Sequence, residues 1–143
     1  MMNDDNIDAI YEFGKEIVIN ARDSAIKGLN NILNGTAYGS CDKNIMEEIK
    51  KIPLNPHQKE MIKLLAISSM DLLLHSFFVN FEESSEKYRI IAKDNQGKDF
   101  DIVTQSDGLP YGYYVFVDEY SKYKSSNDAA IEDISDQCWS INR

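Results

Sequence analysis

The chain has 143 residues, enough for one domain of ordinary size and too few for two. Apolar residues make up 43% and charged residues 27%, a balance that excludes both a disordered tail and a membrane-embedded bundle. A net charge of −9 repels phosphate backbones, so no nucleic-acid partner is expected.

The chain starts Met1-Met2-Asn3-Asp4-Asp5-Asn6, with neither the positive start nor the apolar run of a secretory signal. A cytoplasmic protein is the expectation. The first element is a helix over 7–33, where Ile7, Ile10, Tyr11, Gly14, Ile17, Val18, Ala21, Ala25, Leu29 and Ile32 recur at steps of three and four. Asn34-Gly35 ends it, glycine being suited to the left-handed residue after the last turn. Gly14 and Gly28, about four turns apart, are expected where another helix passes closely. A short helix capped by Asp42 follows over 43–51 and stops at Pro53.

Asn55-Pro56-His57-Gln58 is a capping-box start, with proline at the first helical position. The helix behind it should run over 56–83. Apolar residues occupy most of its circumference from Met61 onward, so burial on all sides is expected. Residues 61–81 approach the length of a membrane span, but Lys63, Asp71, His75 and Asn80 interrupt them. An aspartate at mid-span costs about 2.5–3.5 kcal/mol on insertion, so no membrane association is expected.

After Glu86 the period changes from 3.6 to 2. Tyr88, Ile90 and Ala92 alternate with polar positions, as do Phe100, Ile102 and Thr104, and Asn95-Gln96-Gly97 suits a three-residue hairpin loop. That loop places Ala92 opposite Phe100, Ile90 opposite Ile102 and Tyr88 opposite Thr104. Lys93 then meets Asp99 on the other face. Residues 111–123 fit either a strand or a helix, with a helix over 115–123 preferred. A short terminal helix over 129–136 would carry Ile131 and Ile134. The class is therefore α+β over a single compact domain, 1–143. A helical first half with a long buried central helix precedes a β-hairpin and short C-terminal helices.

No residue pattern announces a chemistry. Asp71, His75 and Glu82 share one face of the long helix, a column that could serve a small enzyme or metal protein if a further ligand converged. Three ligands on one helix do not enclose an ion, so neither metal nor cofactor is expected there. Cys41 and Cys138 are too few for a disulfide framework and lack CxxC spacing. Serine elbows, phosphate loops and calcium loops are absent from the sequence, and no catalytic residue is assigned.

Charge and aromatic content single out the C-terminal third. From Asp99 to Arg143, nine acids stand against three bases. Tyr111, Tyr113, Tyr114, Phe116, Tyr120 and Tyr123 concentrate beside Asp107, Asp118 and Glu119. Tyrosine mixed with acids grips Lys- and Arg-rich proteins through packing, hydrogen bonds and cation–π contacts. The expected interface is Asp107, Tyr113, Asp118, Glu119, Tyr120 and Tyr123. Two other acids, Glu82 and Glu83, stand at the unfavourable negative end of the long helix, where a partner cation would explain them.

The segments Leu74-His75-Ser76-Phe77-Phe78 and Ser106-Asp107-Gly108-Leu109, with the aromatic stretch to Tyr123, carry a resemblance. Over 61–123 the chain resembles a loose set of small uncharacterised bacterial proteins with an LHxF helix and an SDGL turn. Small acidic proteins of this kind are often immunity proteins of toxin systems. The resemblance implies a bacterial cytoplasmic binding module that neutralises a basic toxin domain, and it brings no catalytic residues.

Overall fold

The apolar stripe of the first helix folds as expected, though not as one regular helix. In the computed structural model, which describes residues 4–106 and 108–123, α1 (Asp4–Glu16) runs through a π-helical segment (Ile17–Asp23) into α2 (Ser24–Asn34). The wider π turn rotates the residues that follow it relative to α1. Val18, Arg22 and Asp23 all face inward as a result, including two adjacent charged residues. Gly35, at φ 77°, closes α2 in the left-handed conformation that Asn34-Gly35 predicts.

The next helix, α3 (Ser40–Lys50), starts earlier than Asp42 suggested; Gly39 is the cap and Asp42 lies in the first turn. The long helix α4 (Pro56–Glu83) begins at the expected capping box. The Gln58 amide donates to Asn55 Oδ1 at 2.8 Å and the Asn55 amide to Gln58 Oε1 at 2.9 Å.

The hairpin, β1 (Ile91–Lys93) and β2 (Asp99–Asp101), pairs in the expected register, with Ala92 opposite Phe100 and Lys93 opposite Asp99. Lys93 Nζ lies 2.7 Å from Asp99 Oδ1. Gly97, at φ 78°, takes the left-handed position of the loop. The Asp94 carboxylate accepts the Gln96 and Lys98 amides. Ile102 still donates its amide to the Ile90 carbonyl at 2.9 Å, but there the ladder ends. Asp101 Oδ1 accepts the amides of Val103 and Thr104 at 3.0 and 3.5 Å and starts the single turn of α5 (Ile102–Gln105). A local cap thus competes successfully with strand pairing. Thr104 does not extend the ladder to Tyr88, which is exposed.

The ambiguous stretch is helical: α6 (Leu109–Tyr120) inserts between α4 and α1 and packs on both. Leu109, Tyr113, Phe116 and Val117 from α6 join Ile10, Val18, Phe78, Phe100 and Ile102 in the core. The α+β class therefore holds, with one correction. The long helix packs on α6 and α2, and Phe13 of α1 meets its Phe78 edge to face at 6.1 Å. It is not surrounded, however: Ile67, Asp71 and Phe78 are buried, while Leu65, Leu72, Leu73 and Phe77 are exposed. The expected terminal helix over 129–136 lies outside the described residues.

The two helical glycines behave differently. A Cβ on Gly14 would lie 2.4 Å from the Phe116 ring, whereas one on Gly28 meets nothing within 4 Å. Gly14→Ala should destabilise by about 1–3 kcal/mol through overpacking of α1 on α6. Gly28→Ala should stabilise by up to about 1 kcal/mol through helix propensity. Urea denaturation of both variants checks the pair.

Candidate protein-docking surface

The arrangement of the second half follows from a charged group in the interior. Arg22 is 1% exposed and Asp71 of α4 is equally buried. Arg22 grips Asp71 with two nitrogens, Nε to Oδ1 at 2.7 Å and Nη2 to Oδ2 at 3.2 Å. The Tyr113 hydroxyl donates to the same Oδ1 at 2.7 Å. Arg22 Nη1 reaches Ser121 Oγ at 2.8 Å and the Tyr123 carbonyl at 3.1 Å. Asp23 accepts the Ser121 hydroxyl at 2.6 Å and the Lys122 amide at 2.9 Å. The π segment, α4 and the C-terminal end of α6 are thereby bolted together.

Burial alone would lower the Arg22 pKa, but the hydrogen bond and charge of Asp71 more than reverse it, so the guanidinium stays charged. Burial, and then the Asp71 carboxylate, push the Tyr113 hydroxyl well above its ordinary range.

This network decides the fate of the expected site residues. Tyr113 is a correction: it is 1% exposed and bonded to Asp71, so it belongs to the interior and not to an interface. The cause is helical spacing, because Tyr113 shares the inward face of α6 with Phe116 and Val117. Asp107 lies outside the described residues. Asp118 and Glu119 are exposed, and Tyr120 is half-buried. Tyr123 is half-buried too, with Lys63 Nζ 5.9 Å from its ring centre.

Around Glu119 and Tyr120 the structure adds a residue that the sequence did not single out. Tyr11, 40% exposed, stands edge to face on Phe116 with ring centres 5.5 Å apart. Tyr120 is close to it: partial desolvation, the Glu119 carboxylate and the Tyr11 hydroxyl together raise the Tyr120 pKa. Exposed Val115, 54% accessible, lies one turn before Glu119, and exposed Asp8 and Glu12 flank Tyr11 on α1. In the sequence Tyr11 fits the apolar stripe of α1. Only its polar tip hinted that it would stand at the rim of the core.

The Asp71, His75 and Glu82 column does not assemble as a ligand set. Asp71 is turned inward to Arg22 and Tyr113, His75 is half-buried against Tyr114 at 5.8 Å, and Glu82 is exposed. Among the described residues no cluster of three or more His, Cys, Asp or Glu is arranged to hold a metal ion. A groove of about 500 Å³ between the end of α4 and the hairpin contains Glu86, Asp99 and Asp101. Its charge is largely compensated, since Asp99 pairs with Lys93 at 2.7 Å and Arg89 approaches Asp101 at 4.0 Å. Comparison with protein-family models, with characterised proteins and with solved structures gives no match to this chain.

Two measurements check the buried network. Asp71→Ala should cost about 3–5 kcal/mol, because it leaves the Arg22 guanidinium buried without its partner. Arg22→Met combined with Asp71→Leu should recover most of that loss. The second measurement is alkaline stability. A pKa raised on folding contributes stability that is complete below the unfolded tyrosine value, near 10, and is lost above it. Stability should therefore fall above about pH 10, by as much as about 1.4 kcal/mol per pH unit from this group alone. Tyr113→Phe should remove that component.

Proposed function

We propose that the protein is a binding module for a basic protein, in the manner of an immunity protein that masks a toxin domain. The surface used is the α1/α6 face, with Tyr11 and Tyr120 as anchors and Asp118 and Glu119 as steering charges. One observation carries this reading: Tyr11, seated on Phe116, and Tyr120, one turn further along α6, stand near Glu119 on a face with exposed acids. The net charge of −9 supports it, because charge of one sign accelerates encounter with an oppositely charged partner. The rigid seat of Tyr11 on Phe116 supports it too, because an anchor held in place loses little freedom on binding.

A cytoplasmic location and a bacterial toxin partner belong to the same proposal. The direct experiment is co-expression with a candidate basic partner, found by pull-down or among neighbouring genes. That protein should be toxic alone and tolerated when this chain is present. Stopped-flow binding should then separate the two roles. Asp118→Asn with Glu119→Gln should slow association, most at low salt, where the Debye length is longest. Tyr120→Ala should instead speed dissociation about 30-fold, the equivalent of about 2 kcal/mol at an anchor. Rates indifferent to both sets of substitutions would place the interface elsewhere.

A further inference from the structure

We draw no further inference here: the strongest candidate, the apolar stripe of Leu65, Leu72, Leu73 and Phe77 exposed along the outer face of α4, carries none because nothing in the structure shows what covers it.

Discussion

A guanidinium buried among helices sets the terms for the rest of this fold. Arg22 reaches Asp71 with two nitrogens, and Tyr113 completes the carboxylate shell. Taking such charges out of water costs several kcal/mol per ion, which only close, fully bonded geometry offsets. The described residues meet that demand, with no buried side-chain polar atom left without a partner. An apolar contact could slide by a turn at small cost, whereas a two-nitrogen ion pair has one register. The pair therefore fixes which face of α4 meets the π segment and how far α6 descends between them.

Both outer surfaces follow from that register. With Asp71 turned inward, Leu72 and Leu73, one and two residues later, are rotated to the far side of α4. The exposed stripe is the geometric complement of the buried pair. With Tyr113 drawn to Asp71, the next turns of α6 carry Glu119 and Tyr120 out beside Tyr11. The network also ties the Ser121 hydroxyl and the Lys122 amide to Asp23, so the end of α6 is held against the π segment that follows α1. A face built on tethered helices holds its aromatics in place better than one built on a loop.

Much of the fold was legible where local chemistry and periodicity agree. The Asn55 capping box, the Gly35 stop and the Ala92–Phe100 register each depend on residues close together in the chain. The hairpin register had two independent supports, apolar alternation and the Lys93–Asp99 charge pair, and both survive. The expectation failed at Thr104, where two signals competed. Alternation favoured a strand, but Asp101 offered its carboxylate to two amides and the cap prevailed.

The site was legible only in part. Composition located acids and tyrosines in the C-terminal third, and helical spacing alone would have assigned Tyr113 to the inward face once residues 109–120 were known to be a helix. The sequence by itself determined the capping-box start of α4, the glycine stop of α2, the hairpin and the acidic aromatic character of α6. Only the tertiary structure decided that Arg22 meets Asp71, that one side of α4 remains open, and that Tyr11 joins Tyr120. Those facts depend on pairs tens of residues apart, and side-chain type does not specify which distant partner a buried charge will find. The π segment re-aims Arg22 and Asp23 for that partnership, and no local pattern in Ile17–Asp23 distinguishes it from an ordinary helix.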